Sequence, residues 1–258
     1  MKGFSANLGF LFPELPLLGR IEAAARAGFR AIELHWPYDV PAETLAAACE
    51  AADVVLTGIN TAPGDRAAGE FGLGAVPGRE AAFEAVVGQS LAYCAATGAS
   101  MVHAMAGVVP AEGESRATLV ANLKRAAAEA QRFGVTLLLE PLNPRDVPGY
   151  FYSTVEEAAE IIDAVGAPNV RLMFDVYHVG VASGDVIMRL RRFFPLVGHV
   201  QIAAVPSRNE PDEGEISYPA IFLELEALGY AGWVGCEYKP RGDTLEGLVW
   251  TERLGVTL

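Results

Sequence analysis

Short apolar runs alternate with alanine-rich stretches from one end of the chain to the other, eight times over. The runs fall at Phe4–Phe10, Ala31–His35, Val54–Asn60, Met101–Ala106, Thr136–Glu140, Arg171–Asp175, Val200–Ile202 and Val234–Glu237. Between them lie segments such as PAETLAAACEAAD, REAAFEAVVGQSLAYCAATG and ESRATLVANLKRAAAEAQRFG. Their apolar positions recur at intervals of three and four, the period of a helix with one buried face. Several of these stretches stop at glycine and re-enter a strand at once, as in AGFRAIEL, FGVTLLLE and GYAGWVGCE. Glycine reaches the left-handed conformation that closes a helix without the clash a Cβ would bring, so these read as helix-to-strand turns.

A parallel return needs a crossover long enough to hold a helix, so this alternation implies a parallel sheet. Eight repeats in 258 residues is the scale of one closed (β/α)8 barrel, a TIM barrel forming a single domain over residues 1–258. An open doubly wound sheet would carry a glycine-rich phosphate loop after its first strand, and NLGFLFPELPLLG lacks that spacing. The longest irregular stretches, TAPGDRAAGEFGLGAVPGRE and VPSRNEPDEGEISYP, both follow strands and are expected at the catalytic mouth. A net charge of -13 argues against nucleic acid, whose phosphates are held by clustered lysines and arginines. The densest basic run, Arg189, Arg191 and Arg192, reads as a solvated helix end. Cys49, Cys94 and Cys236 are an odd number without metal-binding spacing, which points to a reducing compartment. No stretch approaches the ~20 apolar residues of a membrane span, so the chain reads as cytosolic.

Four of the later strand candidates end in a side chain able to bind a divalent ion. They are Glu140 in LLLEPLN, Asp175 in RLMFDVYH, Gln201 in GHVQIA and Glu237 in WVGCEYKP. Three carboxylates and one amide are oxygen donors, which suit Mg²⁺ or Mn²⁺ better than zinc. Barrels of this kind do their chemistry where the strands end. Pro141 stops the strand ladder, so Glu140 should project at the rim. An ion so held can polarise adjacent carbonyl and hydroxyl oxygens. Two glutamates flanking a flat enediolate can take a proton from one carbon and return one to its neighbour. That chemistry is isomerisation of a hydroxy-carbonyl compound.

Other polar residues crowd the same predicted rim. His178, three residues past Asp175, is expected beside the ligands and in contact with substrate. Arg208, in PSRNEPDEGE, could clamp a carboxylate through two parallel hydrogen bonds, or merely pair with Glu210 or Asp212 to order its loop. Lys239 is the competing cation. His103 and His35 end strands and either line the cavity or are structural; His199 shares parity with Gln201 and belongs to the core or supports the site.

LLLEPLN, FDVYH, HVQIAAVPSRNEPDEGEISY and CEYKP together resemble the hydroxypyruvate isomerase family, within the xylose-isomerase-like barrels. The similarity covers essentially the whole chain, including NLGFLFPELPLLGRIEAAARAGFRAIELHWPYD, and the HVQIA…GEISY segment is its most specific part. The resemblance implies that Glu140 and Glu237 are the acid/base pair and also metal ligands, completed by Asp175 and Gln201. His178 and Arg208 match positions that contact substrate in related sugar epimerases. Those epimerases usually place a metal-binding histidine where this chain has Gln201, which favours the hydroxypyruvate branch. The implied reaction interconverts hydroxypyruvate and 2-hydroxy-3-oxopropanoate (tartronate semialdehyde). Isomerisation of a 2-oxo-tetronate, or 3-epimerisation of a ketose, is the alternative. Barrels of this family often pair, which suggests a homo-oligomer. Two remoter readings are a three-zinc DNA-repair endonuclease and a non-catalytic binding protein. The first needs more histidines than His35, His103, His178 and His199 provide; the second would not need both glutamates.

Overall fold

A computed structural model describes residues 1–110 and 113–258. Eight strands run in chain order: β1 Gly3–Asn7, β2 Ala31–Leu34, β3 Val55–Asn60, β4 Met101–His103, β5 Thr136–Leu139, β6 Val170–Asp175, β7 Val197–Ile202 and β8 Trp233–Cys236. Each pairs in parallel with its sequence neighbours, and β8 closes on β1 to make the expected barrel. The crossovers carry α1 Leu17–Arg26, α2 Ala42–Ala52, α3 Glu80–Thr97, α4 Gly113–Arg132, α5 Val155–Val165, α6 Val176–Ala182, α7 Val186–Phe193 and α8 Tyr218–Ala227. After β8 come two short helices, α9 Thr244–Gly247 and α10 Trp250–Leu254.

The strands are buried on both faces, as a sheet wrapped by helices requires, which is why they read as apolar runs rather than as alternation. The three glycines expected to end helices, Gly28, Gly134 and Gly229, have φ of +106°, +68° and +75°. Trp250 is fully buried and packs edge-on against Phe4, so the terminal segment seals the core beside the β1–β8 seam.

Strand limits differ from the sequence reading where side chains take over the backbone's hydrogen bonds. β1 ends at Asn7 rather than Phe10, because the Gly9 amide donates to Asn7 Oδ1 and the Leu11 amide to the Asn7 carbonyl. β4 ends at His103 rather than Ala106, because the Met105 and Ala106 amides bond to the Thr61 and Tyr150 hydroxyls. β7 begins at Val197, three residues early. Arg191 lies at the exposed end of α7 and pairs with Glu224. All three cysteines are free and buried. Among the described residues no helix is long and apolar enough to cross a membrane.

Candidate active site

Parallel winding brings every strand's end to one rim, and the four ligand candidates meet there. Glu140 follows β5, Asp175 ends β6, Gln201 is the penultimate residue of β7 and Glu237 follows β8. They are 4, 1, 3 and 6% exposed. Asp175 and Gln201 are register partners across β6 and β7. Above them opens a cavity of about 350 Å³ walled by Glu140, Glu237, His35, His103, His178 and Arg208, with Phe10, Trp36 and Phe71 on its apolar side.

Two of the candidates and one histidine lie close together, and Glu237 stands outside that group. One ligand atom from each of Glu140, Asp175 and His178 lies within 4.8 Å of the others. Among the described residues, Glu140 Oε1, Asp175 Oδ2, Gln201 Oε1 and His178 Nε2 are buried without a hydrogen-bond partner. A buried polar atom left unpaired costs about 1–3 kcal/mol. An oxygen set of this kind fits a hard divalent cation. Local backbone geometry aims Asp175 at the cluster. Its Oδ1 caps α6, accepting from the Tyr177 and His178 amides at 2.7 and 3.2 Å, which leaves Oδ2 to face the other oxygens.

His178 differs from the oxygens. Its Nδ1 accepts from the Asn143 backbone amide at 2.9 Å, so the neutral ring carries its hydrogen on Nε2. Burial, reinforced by the Arg208 charge, holds its pKa down at about 3. A neutral ring with Nε2–H toward the cavity is a hydrogen-bond donor rather than a metal ligand. Burial likewise lowers His103 to about 4, and its Nδ1 lies 3.2 Å from Glu140 Oε2.

The two glutamates are tuned apart. Burial raises the Glu140 pKa well above the usual carboxylate range, and the charges of Glu237 and Asp175 raise it further. Burial and Glu237 push Asp175 up to about 7. Burial works on Glu237 in the same direction, but a hydrogen bond from His35 and the charges of His35 and Arg208 outweigh it, leaving about 2. Such divergence between neighbouring carboxyls separates a proton donor from a proton acceptor.

Arg208 lies inside the cavity wall with a left-handed φ of 60°. Its Nη1 meets Asp146 at 3.0 Å and its Nη2 meets Glu237 at 3.2 Å. The guanidinium lies 5.1 and 5.0 Å from the Phe10 and Tyr177 ring centroids, and its Nε is buried without a partner among the described residues. The alternative pairing with Glu210 or Asp212 does not form. Arg208 has a left-handed backbone, and those two carboxylates are buried against Arg241 instead, at 2.9 and 2.7 Å. Lys239 is exposed and outside the cavity wall, with Nζ 5.9 Å from the Phe10 ring centroid.

Two site residues were not singled out from sequence. Glu33, on β2, is buried and accepts from His199 at 2.7 Å and from Gln201 at 3.2 Å. Its signal was an acid inside the apolar run AIEL, which only a set of donors can make tolerable. Arg66, in the loop after β3, lines the cavity with its guanidinium 4.5 Å from the Phe71 ring centroid. Nothing in its sequence surroundings marks it.

Known proteins resemble the chain over nearly its full length. The xylose isomerase-like TIM barrel family matches residues 21–254. The chain is 46% identical to the 2-oxo-tetronate isomerase of Cupriavidus necator, covering 97% of each protein. It is 39% identical to the hydroxypyruvate isomerase of Escherichia coli, covering 98% of this chain and 99% of that one. The crystal structure of a Brucella melitensis protein named AP endonuclease, family 2, superposes with a TM-score of 0.94 at 42% identity, covering 98% of each chain. A closed eight-stranded barrel, a rim of buried carboxylates and full-length identity to two isomerases agree: the chain belongs to the hydroxypyruvate isomerase family of xylose isomerase-like TIM barrels and is an isomerase of the aldose–ketose type.

Proposed function

We propose that this isomerase interconverts hydroxypyruvate and tartronate semialdehyde, with Glu140 and Glu237 moving the proton. The observation that carries the reading is the pair of buried carboxyls lining one cavity, Glu237 beside His35 and Arg208 and Glu140 beside His103 and His178, with burial raising the pKa of Glu140 and the His35 and Arg208 contacts lowering that of Glu237. An ionised Glu237 is fit to take a proton from the hydroxymethyl carbon. Glu140, on a strand three removed around the barrel, faces the same cavity and exchanges a proton with the neighbouring carbon. The hydroxyl proton passes to the former ketone oxygen, so atoms balance without an oxidant or reductant. In the reverse direction the two glutamates exchange roles.

Glu140, Asp175, Gln201 and Glu237 are the residues proposed to hold Mg²⁺ or Mn²⁺, which when bound supplies polarisation of the substrate's carbonyl and hydroxyl oxygens. His178 Nε2–H donates to a substrate oxygen. The Arg208 guanidinium, in the cavity wall beside two aromatic rings, is the donor for the substrate's carboxylate, and His103 steadies Glu140. Phe10, Trp36 and Phe71 give the cavity an apolar side.

A four-carbon 2-oxo-tetronate is the second reading, and the cavity favours its inclusion. At ~30 Å³ per heavy atom, an upper bound from liquid water, hydroxypyruvate takes about 210 Å³ and a 2-oxo-tetronate about 270 Å³. Both fit within about 350 Å³. The Cupriavidus necator relative carries the four-carbon name. Turnover of hydroxypyruvate, 2-oxo-tetronates and neutral ketoses with Mg²⁺ or Mn²⁺ tests the assignment. Isomerisation of the acids supports it, a preference for the four-carbon acid moves it to the second reading, and turnover of ketoses alone defeats both.

A further inference from the structure

Glu33 lies below the cavity and collects three donors. His199 Nε2 reaches its Oε2 at 2.7 Å; Gln201 Nε2 and Asn7 Nδ2 reach its Oε1, each at 3.2 Å. An amide can turn over with almost no change of shape, so the atom that Gln201 presents to the cavity is decided by its partners. A carboxylate offers no hydrogen to an amide oxygen, so it holds the nitrogen end. Gln201 Oε1 is thereby turned away from Glu33, and it is buried with no partner among the described residues. Its register partner Asp175 has an equally unpartnered Oδ2.

We infer that Glu33 is a positioning residue that locks the Gln201 amide, so that Oε1 rather than Nε2 faces Glu140 and Asp175. The inference rests on the proposed divalent-ion site. An amide nitrogen has no free lone pair for a cation, so a turned amide would remove one ligand and place hydrogens against the ion. Gly235 makes the contact possible: a Cβ there would lie 2.3 Å from Glu33 Oε1 and 2.8 Å from Gln201 Cγ. A residue supporting a metal ligand in this way typically sets 10–100-fold in affinity.

The test is a double-mutant cycle read as Mn²⁺ affinity, from the free-ion electron paramagnetic resonance signal, with no turnover needed. Glu33→Gln should weaken Mn²⁺ binding about 10–100-fold, because a glutamine partner accepts either end of the Gln201 amide. In a Gln201→Glu background the same change should cost nothing, because a carboxylate presents oxygen whichever way it turns. His199→Asn, which removes the other contact, should leave affinity within about threefold of the parent. Equal losses from Glu33→Gln in both backgrounds, or a large loss in His199→Asn, would show that Glu33 only props the core. If Glu33→Gln does not fold, Glu33→Asp draws the carboxylate back from the amide and is read in the same cycle. No Mn²⁺ binding by the unmodified protein overturns the ion site and this inference together; unchanged binding in Glu33→Gln overturns this inference alone.

Discussion

Arg208 Nη2 lies 3.2 Å from Glu237 Oε1, the oxygen that His35 also approaches, at 3.3 Å, from the opposite end of the chain. Glu140, across the same cavity, has no lysine or arginine partner among the described residues and faces two neutral imidazoles instead. Two chemically identical side chains thus shift in opposite directions, because one accepts from His35 and lies beside a guanidinium while burial and neighbouring carboxylates dominate the other. Their roles in turnover should be separable by experiment.

Glu140→Gln and Glu237→Gln should each lower kcat by at least ~10²-fold, the scale of losing a positioned acid or base. Because both also belong to the proposed ion site, the double variant should lose less than the product of the single losses. Steady-state kinetics with bound metal measured alongside decides it. Near-normal turnover by a Glu140→Gln enzyme with full metal content would remove Glu140 from the chemistry.

Arg208→Lys should raise KM for an acid substrate far more than for a neutral hydroxyketone of similar size, because an ammonium cannot reproduce the guanidinium fork. The same change should move the acidic limb of the kcat/KM profile upward in pH, since Glu237 loses part of what holds it near 2. Equal KM effects on both substrates would leave Arg208 as a partner of Glu237 and Asp146 only. Arg66→Leu, at the outer wall, should raise KM for the acid less than Arg208→Lys does.

Asp175 should make the metal-free protein less stable as pH rises. Its carboxyl ionises near 3.8 when unfolded and at about 7 when folded. Between those values the folded state keeps a proton that the unfolded state has lost, so the stabilisation is complete below about 3.8 and gone above about 7. Thermal melts of metal-free protein should show Tm falling across that window, with a shallower fall for Asp175→Asn. Added Mg²⁺ or Mn²⁺ should raise Tm more at pH 7.5 than at pH 5, because protons compete with the ion. Elemental analysis of Asp175→Asn should find reduced metal occupancy.

Gly235→Ala should destabilise the fold by about 1–3 kcal/mol, the usual cost of forcing an atom into a packed interior. Chemical denaturation measures it. The added methyl must displace Glu33 or Gln201, so Mn²⁺ affinity should fall as well.

The barrel was legible because two periods alternate along the chain, and the four strand-end oxygens were legible because each closes an apolar run. Glu33 was not, although it too lies in such a run. One acid inside AIEL says nothing of Asn7, His199 and Gln201, which lie on other strands and become its donors only when the barrel closes. Arg208 was found from its loop; the alternative pairing with Glu210 or Asp212 fails, because near neighbours in sequence point apart where the backbone adopts a left-handed turn. The direction of His178 depends on an Asn143 amide 35 residues away.

β8 is the last strand made and closes on the first, with Glu237 immediately after it. During synthesis, Glu140, Asp175 and Gln201 emerge while β1 still presents an unpaired edge, and the base arrives only as the seam is sealed. The loop bearing Arg208 is fastened later still, since Asp212 within it is gripped by Arg241 and by Arg253 of α10. The segment after β8 therefore braces both the barrel's seam and the loop that carries the cavity's cation, so loosening α10 should slacken the reaction centre from a distance.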